Sequence, residues 1–272
     1  MNFSPIIIVG GEPQSVFIEL LLKTIKKINN SIILISSKDI LRKNINRFNL
    51  NFEVNELNKN LTNFKKNKIN IININYNKFS FSKKKIKSES NKFIQLSFNK
   101  AIDVLKKTDC LGLINGPISK RTFLKGKYNG ITEFLASKTG AKDPVMLIYN
   151  KKLSVSPITT HIPISKVSKK INKKDIINKI KKINYFYLNV LKKKPKIAVT
   201  GLNPHCESFD KENKEKKEII PAITELKKNK INIKGPFASD TIFLKENSKK
   251  FDVVVGMYHD QVLAPMKTLH GF

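Results

Sequence analysis

The sequence predicts an α/β protein with a mainly parallel sheet, because short apolar runs alternate with longer amphipathic stretches along most of its length. With 272 residues, 40% of them hydrophobic, the chain is long enough for one large or two modest domains, each with its own core. None of its apolar runs approaches the roughly 20 residues needed to span a bilayer.

Pro5 to Val9 is a buried first strand ending at Gly10-Gly11-Glu12-Pro13, and Val16 to Ile28 carries apolar residues at helical spacing. Ser31 to Ile35 is a second strand. The stretch 44–87 is polar and rich in Asn and Lys, with Ile71-Ile72-Asn73-Ile74 as its best strand. A helix from Ser90 to Lys107 leads into a strand at Leu111 to Ile114, closed by Asn115-Gly116-Pro117. Val145 to Tyr149 and Leu153 to Ile158 have the spacing of a hairpin. Asp175 to Leu191 is a long helix whose Tyr185, Phe186 and Tyr187 are expected in the core. Lys196 to Thr200 and Val253 to Val255 are further buried strands, and Glu212 to Lys228 is a charged helix.

Charge is the unusual feature. Lys and Arg number 52 against 21 Asp and Glu, a formal net charge of +31. The excess sits in runs such as Lys83-Lys84-Lys85 and Lys192-Lys193-Lys194 and travels with Asn and Ile, as AT-rich coding gives on a solvated surface. Charge of this kind speaks to solubility rather than fold, and no nucleic-acid partner is inferred from it. Two cysteines, Cys110 and Cys206, without repeated spacing provide no disulfide framework. The N-terminus lacks a basic region and a small-residue cleavage site. A cytoplasmic protein with no membrane partner is expected.

Three of the four histidines share one context. His161 follows the predicted strand through Ile158, His205 follows the strand through Thr200, and His259 follows Val253-Val254-Val255. In open α/β sheets ligands bind beyond the carboxyl ends of strands. Neutral imidazole is a common ligand for zinc and similar ions, and three protein ligands leave a coordination position for substrate. Each histidine taken alone is more simply a hydrogen-bonded core or surface residue; the shared context is what raises the metal reading. Asp260, beside His259, adds a carboxylate able to orient a ligand or accept a proton. His270 lacks the context.

At these residues the sequence resembles a known family. Thr159-Thr160-His161-Ile162-Pro163-Ile164, Gly201-Leu202-Asn203-Pro204-His205 and Met257-Tyr258-His259-Asp260-Gln261 resemble signature segments of the 4-hydroxythreonine-4-phosphate dehydrogenases of pyridoxal phosphate (vitamin B6) biosynthesis. Asn115-Gly116-Pro117-Ile118-Ser119-Lys120, Gly130-Ile131-Thr132-Glu133-Phe134 and Gly235-Pro236-Phe237-Ala238-Ser239-Asp240-Thr241 match in order. So do Gly11-Glu12-Pro13 and Lys267 ahead of Gly271-Phe272.

The resemblance implies the two-subdomain α/β/α fold of the isocitrate and isopropylmalate dehydrogenase type, which binds NAD without a Rossmann fingerprint. It divides the chain into a first subdomain, 1–125, and a second, 126–272, with the histidines and the dimer interface. It further implies a homodimer with a shared active site, in which His161, His205 and His259 hold a divalent cation (zinc, magnesium, cobalt or manganese), one of them given by the partner subunit. Thr132 and Lys267 are implied as substrate contacts, and Asp240, Asp260 and Lys267 as catalytic residues. The substrate is a small phosphorylated amino acid, 4-phosphooxy-L-threonine, oxidised by NAD and then decarboxylated to 3-amino-2-oxopropyl phosphate. Residues that contact NAD are not assigned.

Four features depart from the family. Ile131 stands where the family has a histidine for the substrate phosphate; a related dehydrogenase acting on another hydroxy acid, or an inactive homologue, is the alternative. The first loop lacks further glycines after Pro13. Cys206-Glu207-Ser208-Phe209 replaces a glycine-rich continuation, with Cys206 as a candidate soft ligand. Family members also run on for some tens of residues past the Gly-Phe that matches Gly271-Phe272. A chain truncated there is expected to leave the first subdomain incomplete, to bind metal weakly and to turn over slowly.

Overall fold

The computed structural model describes residues 4–271 except 59, 67, 77–82, 125, 129 and 207–212; for 83–85 only the backbone is described. The chain forms two compact units, Met1–Gly140 and Ala141–Phe272.

The first unit carries β1 (Ile6–Val9), α1 (Phe17–Thr24), β2 (Ile32–Ser36), α2 (Lys38–Arg47), β3 (Val54–Glu56), β4 (Ile69–Asn73), α3 (Lys83–Lys107), β5 (Gly112–Asn115) and α4 (Ile131–Thr139). Its described strands form one parallel sheet in the order β3-β4-β2-β1-β5. Parallel neighbours need crossovers, which helices supply except between β3 and β4, where no helix is found among the described residues. Alternation along each strand separates two apolar layers. Ile7, Val9, Ile33 and Ile35 face α3 residues Phe93, Ile94 and Phe98. Ile8, Ile32, Leu34 and Ile71 face Ile18, Leu21 and Leu22 of α1 and Leu41 and Ile45 of α2.

A cluster of rings fixes the end of this unit. Phe98 lies 5.4 Å from Phe134 and 6.1 Å from Phe123, and Phe134 lies 5.2 Å from Phe123 and 5.5 Å from Tyr128, centroid to centroid. Phe134 is thereby buried in the first core, and α4 belongs with residues 1–140, past the expected division after residue 125.

The second unit carries β6 (Ser154–Thr159), α5 (Val167–Lys170), α6 (Lys173–Asn189), β7 (Ile197–Thr200), α7 (Ile220–Lys228), β8 (Ile233–Phe237), α8 (Lys245–Ser248), β9 (Val253–Tyr258) and α9 (His259–His270). Its described strands are parallel in the order β6-β9-β7-β8, so the last strand inserts between two earlier ones. Ile197, Val199, Val253 and Val255 face α6 and α7, while Val155, Ala198 and Val254 face Val262, Leu263 and Met266 of α9.

The expected strands reappear within a residue or two at β1, β2, β5, β7 and the start of β9. Two expectations fail. The hairpin reduces to a single antiparallel bridge, Ile148 with Val155, because the next position of that register on β6 is Pro157, which has no N–H, and Met146 O accepts from the Ser156 hydroxyl at 2.7 Å instead. Tyr187 is buried, but Tyr185 is 67% exposed. Consecutive residues on a helix point about 100° apart, so three in a row cannot all face one core. The expected start of the charged helix at Glu212 lies outside the described residues, and so does Phe272.

No described helix is long and apolar enough to cross a membrane.

Candidate metal centre

The order of the second sheet brings the three histidines to one edge. β6, β9 and β7 are adjacent and parallel, with Thr159 opposite Tyr258 and Val199 opposite Val255. Their carboxyl ends therefore point the same way, with His161 just past β6, His259 opening α9 and His205 in the turn after β7. Neighbouring strands are about 4.8 Å apart, so side chains from adjacent ends lie close to one another.

His161 and His259 are brought together. Their ring centroids are 5.8 Å apart with planes inclined by 42°. Two imidazoles that share an ion at the usual metal–nitrogen distance have centroids on the order of 5–6 Å apart, so the pair fits a common cation. His259 Nδ1 lies 2.7 Å from Asp260 Oδ1. A carboxylate can only accept, so in the neutral ring Nδ1 carries the hydrogen and Nε2 keeps its lone pair for a ligand.

His205 is exposed, with φ 57° and ψ 10°, and Cys206 follows at φ 61°. Among the described residues no group of three His, Cys, Asp or Glu side chains is arranged to hold a metal within one chain. The donor set is thus an imidazole pair with a third imidazole on a neighbouring turn.

The other expected site residues are spread around this edge or lie elsewhere. Asp260 is 85% exposed at its side chain, and Asp240 is exposed on the turn after β8. Lys267 is exposed two turns further along α9, about 12 Å from His259 at 1.5 Å per residue. Thr132 occupies the second position of α4 in the first unit, where unpaired helix N–H groups begin. Ile131 packs half-buried against the ring cluster.

Two supporting side chains escape the sequence reading. Gln261 is 8% exposed, and its Oε1 accepts from Met257 N at 2.7 Å and Thr200 Oγ1 at 2.9 Å, while its Nε2 donates to Gly201 O at 2.8 Å. Glu215 is fully buried and accepts from Leu202 N and Asn203 N, both at 2.8 Å, and from Asn203 Nδ2 at 2.9 Å. Burial pushes the Glu215 carboxyl up, but the bonds from Asn203, its own backbone and Leu202 together outweigh it and hold the group below its ordinary value. Glu215 lies in a run of charges that marks nothing, and Gln261 closes the family-like segment Met257–Gln261 without the sequence giving it a role.

Two parallel α/β units, one with imidazoles gathered at the carboxyl edge of its sheet, define the class as an α/β protein with a candidate catalytic metal centre. Comparison with known proteins narrows this. The chain belongs to the family described as "Pyridoxal phosphate biosynthetic protein PdxA", whose model matches residues 27–272. It is 37% identical over 270 residues to the 4-hydroxythreonine-4-phosphate dehydrogenase of Sulfurihydrogenibium sp., covering 95% of this chain and 81% of that protein. It is 33% identical to the enzyme of the same name from Wigglesworthia glossinidia brevipalpis, over 100% of this chain and 83% of that one. The crystal structure of a 4-hydroxythreonine-4-phosphate dehydrogenase from Burkholderia phymatum superposes with a TM-score of 0.81, covering 99% of this chain and 84% of that chain; at 24% identity the likeness concerns the fold.

Proposed function

We propose that the chain is a 4-hydroxythreonine-4-phosphate dehydrogenase that oxidises the secondary hydroxyl of 4-phosphooxy-L-threonine with NAD and releases CO2, giving 3-amino-2-oxopropyl phosphate. The observation that carries the reading is the placing of His161, His259 and His205 at adjoining strand ends in a member of this family. When bound, a divalent cation (zinc, magnesium, cobalt or manganese) lowers the pKa of a coordinated hydroxyl and stabilises negative charge, and NAD takes up hydride. His161 and His259 hold the cation, and a second copy of the chain completes the ligand set. Asp260 keeps the His259 ring in the tautomer that presents Nε2. Thr132, at the start of α4, offers a hydroxyl and helix N–H groups to the substrate phosphate. Lys267 is a compact cation suited to an anionic substrate or a proton relay, and Asp240 and Asp260 are carboxylates for proton transfer. A homodimer in the cytoplasm accords with this reading.

The test is NADH formation by the purified chain with this substrate and each of the four cations. No NADH with any of them overturns the reading.

Ile131 favours a second reading, a dehydrogenase for a different hydroxy acid, because an apolar side chain packed on the ring cluster donates no hydrogen bond to phosphate. Ile131→His is expected to lower KM for the phosphorylated substrate by about 10–100-fold, the worth of a hydrogen bond to a charged group, roughly 1.5–3 kcal/mol. If KM is unchanged while a non-phosphorylated hydroxy acid is turned over faster by the natural chain, the second reading replaces the first.

A further inference from the structure

Resting on the metal-centre reading above, we propose that Gln261 and Glu215 are positioning residues that fix the His205 turn against the His259 end of α9. Gln261 lies two residues after His259, and its amide bonds two strand ends. Through Met257 N it holds the last turn of β9, and through Thr200 Oγ1 and Gly201 O it holds the end of β7. One rigid side chain therefore spans the two strands from which His205 and His259 emerge.

The fit around it is close. A Cβ on Gly256 would lie 2.4 Å from Val262 Cγ1 and 2.9 Å from Gln261 Oε1, so α9 sits directly on β9 and only glycine admits the amide. Glu215 acts on the next link. Its Oε1 takes both the Leu202 and Asn203 N–H groups, and its Oε2 takes the Asn203 amide, so the segment leading to His205 curls around one buried carboxylate. A Cβ on Gly201 would lie 2.9 Å from Cys206 Sγ and 3.1 Å from Glu215 Oε1, which places the far side of the turn back over its start. His205 itself has φ 57°, in the left-handed region that histidine enters more readily than most side chains. His205 is exposed and His259 about a third exposed, and the backbone that carries each is held by these buried groups. Preorganisation of this kind is how supporting groups tune metal affinity.

The experiment is a Co2+ titration, read by visible absorption, of the natural chain and of Gln261→Met, Glu215→Met, Glu215→Gln, His259→Ala and Ile180→Val, each with its Tm. Gln261→Met and Glu215→Met are expected to weaken cobalt binding by on the order of 10–100-fold. Glu215→Gln keeps an oxygen for the two backbone N–H groups, and the Asn203 amide can turn to suit it, so affinity returns close to that of the natural chain. Ile180→Val, a core change in the same unit, lowers Tm and leaves affinity alone. Should Gln261→Met not fold, Thr200→Val removes a single bond to Gln261 Oε1 and is expected to weaken binding by less. The proposal is overturned if the Gln261, Glu215→Met and Thr200 variants that fold bind cobalt as the natural chain does, or weaken no more than Ile180→Val. Equal binding by the natural chain and His259→Ala is a different failure: it removes the metal centre itself, and the proposal with it.

Discussion

His259→Ala is expected to reduce kcat/KM for NAD-linked oxidation by on the order of a thousandfold or more, the several kcal/mol of charge stabilisation that a correctly held cation supplies. The residue stands where three features meet. It opens α9 at the end of the central strand β9, its ring faces that of His161 at 5.8 Å, and its Nδ1 is held by Asp260. Alanine is a good helix former and the side chain is about a third exposed, so Tm should move little. The loss therefore belongs to chemistry rather than folding. Kinetics with each of the four cations at saturating concentration, paired with a melting curve, makes the measurement. A variant that keeps the kcat/KM of the natural chain removes His259 from the active site.

Phe98→Ala is expected to destabilise the chain by about 3–5 kcal/mol, the usual cost of emptying a phenylalanine site in a close-packed core. Phe98 is fully buried in α3 and is in ring contact with Phe123 and Phe134. Phe134 belongs to α4, two positions after Thr132, so the cavity also frees the helix that carries the candidate phosphate contact. Two effects should appear together: a lower midpoint in denaturant, and a higher KM for substrate among the molecules that remain folded. A stability loss below about 1 kcal/mol would mean that the ring cluster is loosely packed and does not anchor α4.

The fold was legible wherever a pattern is local. Runs such as Ile6-Ile7-Ile8-Val9 and Val253-Val254-Val255 are apolar on both faces, as strands covered by helices on both sides must be, and they emerged as β1 and β9. Patterns that depend on partners were not legible. β8 contains Gly235 and Pro236, which give no strand signal, yet it pairs with β7 through a shifted register. The Val145 to Tyr149 segment has the composition of a strand, but the facing position on β6 is Pro157, which offers no N–H to continue the ladder past the Ile148–Val155 bridge. Tyr185 shows the same limit on a helix: its neighbour Tyr187 is buried, and it points to solvent.

The candidate site divides in the same way. The sequence by itself determined that His161, His205 and His259 each follow a buried strand, since an apolar run followed by a polar turn is a local feature. It also determined the family, since the collinear motifs match along the chain. Only the tertiary structure decided which strand ends are neighbours: the order β6-β9-β7 sets the last histidine between the other two, and no periodicity along the chain encodes that order. It alone also gave Gln261 and Glu215 their part, because a hydrogen bond between residues 61 positions apart, as from Thr200 to Gln261, exists only once the strands have paired and the water between them has gone.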